Sequence, residues 1–384
     1  MRLRRRRSRV LWAVAGLTAI LLALLVARSS AVRYRILGPL LAEYVIPSYV
    51  GDCTSPDALQ RAQALRMIVV LRRGLTAKSV ERAQDLLLES LDDPSPEVRL
   101  AAAEAAGDFE LTRAAPRLRR LLQNPQESSS VRSAAAMALG ELGAPAAVDS
   151  LLVALQSDDE GLRQAAQWAL VRTGSAAAAP MAALLRSSDT AAQQRAARAL
   201  AQLGAPAVPP LIAELHNADE DRAALASATL AQMGGPAISA LAQTLARAPS
   251  PRTRQLAAAT LDHIIEQQPP GALRDTYGTR CRAPLQRAAT HDPIPLVRRT
   301  AVSALVVIGQ LCHDTQAILD CMTALEDPDL EVRQESEHGL RSMGRLAAEV
   351  LQSELARLDG GKKPPTDSDD VAQLISEYRD RRAQ

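Results

Sequence analysis

Aromatic side chains are scarce in this chain: 2% of 384 positions, with Phe109 the sole phenylalanine beside two tryptophans and five tyrosines. A large sheet core is built from aromatic and β-branched residues, so their scarcity argues against a β or α/β fold. Hydrophobic residues still reach 47%. Most are Ala and Leu, the strongest helix formers, and small alanines let neighbouring helices come close. Cysteine is scarce too, and Cys53, Cys281, Cys312 and Cys321 stand at no zinc-binding spacing. Acid is missing from the first 35 residues, which hold nine of the 45 basic residues, all arginine. The remainder carries 36 basic against 43 acidic residues, a net of −7. A polyanion-binding surface needs clustered Lys and Arg, so nucleic acid is not an expected partner of the body.

The N-terminus reads as an address. Arg2, Arg4, Arg5, Arg6, Arg7 and Arg9 precede an uncharged run from Val10 to Ala27, which as a helix spans about 27 Å, enough for a hydrocarbon core. Six arginines before the run outweigh Arg28, Arg33 and Arg35 after it, so the tail stays cytoplasmic and the body crosses. Trp12 falls at the expected cytoplasmic interface. Ser29-Ser30-Ala31 would admit a signal-peptidase cut after Ala31. The run is longer than a usual signal core, however, and an uncleaved anchor is the reading adopted. Arg6-Arg7 faintly resembles a twin-arginine signal, with Arg9 where an apolar residue is wanted. Each reading exports the body: a single-pass membrane protein with its C-terminal part outside, periplasmic in a Gram-negative cell. The expected divisions are a basic tail (1–9), a transmembrane signal anchor (10–27) and a juxtamembrane segment (28–54) with Tyr34, Tyr44 and Tyr49. A repeat region (55–358), a flexible linker (359–366) and a C-terminal amphipathic helix (367–384) follow.

Internal repetition is the decisive signal. Gly143-Ala144-Pro145, Gly174-Ser175-Ala176, Gly204-Ala205-Pro206 and Gly234-Gly235-Pro236 recur every 30 or 31 residues. Each lies between two Ala/Leu-rich runs. Glycine ends a helix by accepting the left-handed conformation and proline starts the next by fixing φ, so the block reads as a helix–turn–helix hinge. A second marker keeps register. Val98-Arg99, Val131-Arg132, Leu162-Arg163, Thr253-Arg254, Val297-Arg298 and Val332-Arg333 open the first helices. Asp93-Pro94, Asp292-Pro293 and Asp327-Pro328 lie six residues before their arginines. Arg132, Arg163, Arg298 and Arg333 each stand eleven residues before a glycine: Gly143, Gly174, Gly309 and Gly344. Leu151, Leu152 and Leu155, and later Leu211, Ile212 and Leu215, form apolar stripes. The repeated arginines are expected to brace neighbouring turns against aspartates.

Asp-Pro, Val-Arg, Ala-Leu-Gly-x-Leu-Gly-Ala-Pro and a Leu-rich second helix together resemble the short HEAT repeat of the phycobilisome-lyase-like type, over residues 55 to 358. The resemblance implies an all-α fold, an α-solenoid of about nine helical hairpins behind the N-terminal transmembrane helix. It places first helices on the convex side and second helices on the concave side. A hairpin of thirty residues cannot bury enough surface alone, which is why such units stack.

Chemistry is hard to find. HEAT-like deoxyhypusine hydroxylases hold iron with His-Glu pairs, and no such pair occurs. Glu337-His338 is reversed, and His291-Asp292 and His313-Asp314 are the nearest echoes; His216 and His263 stand apart. A bilin-lyase site is poorly served by so few aromatics, and Trp168, in a first helix, is expected to pack in the core. No phosphate loop, serine elbow or Cys-x-x-Cys appears. No metal and no cofactor are expected. The favoured function is a membrane-anchored protein–protein interaction scaffold with a protein partner on its concave face; the alternative is a HEAT-like lyase or hydroxylase enzyme or maturation factor.

Two features break the rhythm. Glu266 to Arg280, containing Pro269-Pro270-Gly271, reads as an irregular insertion whose Arg274, Tyr277 and Arg280 could meet a partner. Cys281 is placed at the start of the helix after it and Cys312 in the turn after Gly309, so a Cys281–Cys312 disulfide would pin its base. Finally, Val371, Leu374, Ile375 and Tyr378 mark an amphipathic helix expected to cap the last repeat.

Overall fold

The computed structural model describes residues 51–72, 77–217, 219–267, 271–358 and 370–383. The basic tail, the 10–27 span, the juxtamembrane segment up to residue 50 and the 359–366 linker lie outside them. Every regular element among the described residues is helical. The chain divides into two compact units, with the boundary between Ala177 and Ala178.

The first unit holds α1 (Ala58–Leu71), α2 (Ala77–Ser90), α3 (Pro96–Asp108), α4 (Ala115–Gln123), α5 (Ser129–Glu141), α6 (Val148–Ala154) and α7 (Glu160–Thr173). Its first helices stack in sequence, α1 on α3, α3 on α5 and α5 on α7, while α4 lies beside α6. Helix α8 (Ser175–Ala183) follows the Gly174 hinge across the boundary.

The second unit continues with α9 (Thr190–Leu203), α10 (Val208–Leu215), α11 (Glu220–Met233), α12 (Gly235–Arg247), α13 (Pro251–Glu266) and α14 (Ala272–His291). Then come α15 (Pro295–Cys312), α16 (Thr315–Ala324), α17 (Leu330–Met343), α18 (Arg345–Leu358) and the single α19 (Val371–Ala383). Two rows form here. First helices α9, α11, α13, α15 and α17 pack successively, and second helices α10, α12, α14, α16 and α18 do the same. Nine pairs and one closing helix are thus present among the described residues.

The hinges behave as the glycines require. Gly143, Gly174, Gly204, Gly234 and Gly344 all have φ between +55° and +75°, the region where a side chain is strained. One hinge is displaced. Gly309 stays inside α15, against Met343 and Ile318, and His313 takes the left-handed position with φ +52°. Leu311 and Cys312 continue the helix one turn further, because good helix formers follow Gly309 and nothing stops them.

Asp57, Asp159, Asp189, Asp219, Asp314 and Asp329 cap helix starts by accepting backbone N–H bonds, as do Ser128 and Ser250. Each satisfies a donor that the first turn would leave unpaired.

Alanine and glycine set the close approach. A Cβ on Gly140 would lie 2.5 Å from the Ala169 Cα and 2.8 Å from its Cβ, so α5 and α7 touch backbone to side chain. Gly140→Ala is expected to push the two helices apart and cost about 1–3 kcal/mol in urea denaturation. Unchanged stability would mean that this contact is slack.

Helix α15 is long and apolar enough to cross a membrane by length and composition. It is a core helix instead: Val297, Ala301, Leu305 and Ile308 are fully buried against its neighbours. At the C-terminal end α19 packs on α17 and α18. Val371, Leu374, Ile375 and Tyr378 are buried, while Arg379 and Arg382 pair with Glu337 and Glu326.

Candidate functional site

The repeated arginines form a ladder within each unit. Arg99 Nη1 donates to the carbonyls of Asp93 and Pro94 in the turn before its own helix, at 2.7 and 2.9 Å. Its other nitrogens grip Glu127, in the next turn, at 2.7 and 2.8 Å. Arg61 treats Ser55, Pro56 and Asp93 the same way. In the second unit Arg254 spans Ala248, Pro249 and Asp292, and Arg298 spans Asp292 and Asp327. Among the described residues Arg333 reaches only its own turn, at Asp327 and Pro328. Where the arginine is missing, Gln193 donates to the carbonyl of Ser187 instead.

The acids are held twice over. Asp93, Asp292 and Asp327 also accept the N–H two residues on, which shapes the Asp-Pro turn. Burial pulls the Asp93 carboxyl upward, but bonds from Arg61 and the Ser95 N–H outweigh it and hold the group below its ordinary value. The register arginines are therefore bracing residues: their planar forks satisfy turn carbonyls that no helix can reach. They are unavailable for chemistry.

Outside the ladder, a groove of about 740 Å³ opens between α12 and α14. Ile238, Ala242 and Leu245 from α12 and Pro284 and Ala288 from α14 give it an apolar lining. Arg247, Arg280, Arg287 and His291 line it too, as does the Arg254–Asp292 pair. Arg280, Pro284, Arg287 and His291 follow each other at intervals of four, three and four, one stripe of a helix.

The insertion is smaller than the sequence implied. Helix α13 runs through Glu266 and α14 begins at Ala272 after Gly271, whose φ is +134°, so most of the supposed loop is helix. Ala-Leu-Arg-Asp are ordinary helical residues and carry the helix back to Ala272. The three expected partner residues part company. Arg274 lies in α14 and its side chain is outside the described set. Tyr277 turns its hydroxyl onto Gly235, 2.7 Å from where a Cβ would be, so it packs α14 on α12. Arg280 is exposed and lines the groove.

The cysteine positions also shift. Cys281 is fully buried in the middle of α14, not at its start, and Cys312 ends α15 rather than lying in a turn. Cys312 Sγ rests 2.6 Å from a Cβ position on Gly278, one turn before Cys281. All four cysteines carry thiols in this structure. Burial pushes the Cys281 thiol up to about 12, with the Arg280 charge opposing and Cys312 and Asp262 adding to the rise. Asp262, on the facing helix α13, has a buried oxygen with no hydrogen-bond partner. Burial and then the charge of Glu266 raise its carboxyl to about 7, with His263 pulling the other way.

Trp168 is not a core residue. It is 39% exposed, lies over Gly140 and takes the Arg172 guanidinium on its ring at 5.5 Å. The missing side chain at Gly140 leaves its ring a shelf rather than a pocket. Among the described residues no group of three or more His, Cys, Asp or Glu could hold a metal ion.

Residues 53–129 and 126–183 match the family model of HEAT repeats, and residues 192–217 match that of the PBS lyase HEAT-like repeat. No curated protein matches the chain. Solved structures that resemble it include an engineered protein at 18% identity, covering 88% of this chain and 99% of its own, with a TM-score of 0.34. Human deoxyhypusine hydroxylase shows 23% identity over 72% of this chain and 99% of its own, with a TM-score of 0.29. An importin beta shows 15% identity over 91% of this chain and 55% of its own, with a TM-score of 0.42. At such scores these likenesses imply nothing about what this chain binds. The matched residues include the hinge glycines Gly143, Gly174 and Gly204 and the ladder arginines Arg61 and Arg99: the chain carries HEAT repeats, with a repeat of the PBS lyase HEAT-like type at residues 192–217.

Proposed function

We propose that the protein is an interaction scaffold, fixed to a membrane by residues 10–27, that holds a protein partner along its second helices on the non-cytoplasmic side. The observation that carries the scaffold reading is the row of second helices α10 to α18, packed in series and opening a broad groove. The register arginines beneath are spent on bracing turns. Repeat architectures present long surfaces of this kind for macromolecular partners. Six arginines before the 10–27 span and three after it support export of the repeats.

Full chain extracted from its native membrane in mild detergent is expected to migrate with a partner in fixed ratio. Migration as the lone chain in gentle extracts would contradict the scaffold. An alkaline phosphatase fused after Gln384 is expected to be active, since that reporter works only outside the cytoplasm. Activity confined to a cytoplasmic reporter would reverse the topology. If the body is exported, a thiol–disulfide oxidant there could join Cys281 to Cys312, taking two electrons while two protons leave. Non-reducing peptide maps would show the linked pair.

A further inference from the structure

The second-helix face carries one charge cluster that the ladder does not explain. The body as a whole is acidic, yet the α12–α14 groove gathers four arginines around a single aspartate. Asp292 is already committed to Arg254 through bonds of 2.6 and 3.0 Å. Among the described residues the ion pairs and side-chain hydrogen bonds leave Arg247, Arg280 and Arg287 with no acidic partner, and all three are exposed. Arg247 and His291 stand in last turns, where a cation offsets the carbonyl end of its helix. Arg280 lies mid-helix and has no such reason, and Arg287 points into the same groove with it. Between the charges the lining is mostly apolar, with Ser239 and Gln243 as its neutral polar members.

We propose that this groove docks an extended acidic segment of the partner protein, its carboxylates on Arg280 and Arg287 and its apolar side chains between α12 and α14. The proposal rests on the scaffold reading and names the chemistry of its ligand. Seven residues separate the two arginines along α14, a rise of about 10 Å, which an extended strand covers in about three residues. Acids two to four residues apart, with an aliphatic residue among them, therefore match the groove. Arginine's fork suits a carboxylate in two-point contact, and charge complementarity disfavours basic segments.

The test uses the full chain in detergent and a fluorescent peptide of alternating Glu and Leu, read by anisotropy. Saturable binding that weakens with salt is expected. The Arg280→Glu, Arg287→Glu double variant should lose about tenfold or more, as two charge-assisted contacts would require. The Arg280→Lys, Arg287→Lys variant should bind with intermediate affinity, since it keeps the charge and loses the two-point contact, and Arg198→Glu on α9, away from the groove, should keep all of the affinity. Unchanged circular dichroism is expected throughout, because these side chains are exposed. Absence of saturable binding, equal binding by the reversed-charge variant, or tighter binding of an oligothymidylate would overturn the proposal. A partner that crosslinks to α10 and α16 but is indifferent to charge reversal would remove this inference and leave the scaffold standing.

Discussion

Replacing Arg298 with alanine is expected to cost about 3–5 kcal/mol, because it strands a buried carboxylate. Arg298 and Asp327 are 10% and 7% exposed at their side chains and meet through two bonds of 2.8 and 2.9 Å. Removing the guanidinium also orphans the Asp292 carbonyl. Arg333→Ala is the informative comparison. Among the described residues its guanidinium serves only the Asp327 and Pro328 carbonyls, so a smaller loss of about 1–2 kcal/mol should follow. Urea denaturation of both variants measures the difference. Equal losses would show that the turn carbonyls, not the acid in the following turn, carry the rung.

Asp262→Asn is expected to stabilise the protein at pH 8 by about 2–4 kcal/mol and to have almost no effect near pH 4. The sign follows from the raised carboxyl, about 7 in the fold against an ordinary 3.8. Between those values the folded chain holds a proton that the unfolded chain has released. Stability therefore falls as pH rises through that window, and the full penalty is present above it. Burial is the main cause, and Glu266 adds to it. Asparagine keeps the shape without the charge. Thermal unfolding across pH checks this, and a variant whose curve parallels the wild type at every pH would show that Asp262 is ionised and well solvated in the fold.

Much of this architecture is written locally, and the residues show why. A left-handed hinge admits few residues besides glycine, so Gly143, Gly174, Gly204, Gly234 and Gly344 declare themselves. An arginine six residues after an Asp-Pro turn reaches back to that turn's carbonyls, so its register can be counted. His313 breaks the pattern silently, because a histidine in the left-handed region leaves no mark in the sequence. The start of α14 is obscured in the sequence by Pro-Pro-Gly, a turn signal that stands directly before four helical residues. The exposure of Trp168 has no mark in the sequence, since aromatic character alone does not reveal that Gly140 on the adjacent helix leaves a shelf.

The groove was half legible. Arg280, Pro284, Arg287 and His291 form a stripe that helical spacing alone could have exposed. Arg247 lies more than a turn-and-helix away in sequence, on α12, and joins them only when two pairs stack. Tyr277 belongs to the segment that the pattern points to, but its ring fills the space over Gly235. Side chains that converge from separate repeats are a product of packing, which pattern cannot supply.

The measurement that bears most directly on the scaffold is face-resolved photo-crosslinking in intact cells. A photoreactive residue would replace Ala213 or Thr323, both exposed on second helices, or Arg198 or Gln334, both exposed on first helices. The account predicts one discrete adduct of the same partner from Ala213 and Thr323 and none from Arg198 and Gln334. Adducts confined to the first-helix positions, or no adduct from any of the four, would contradict it.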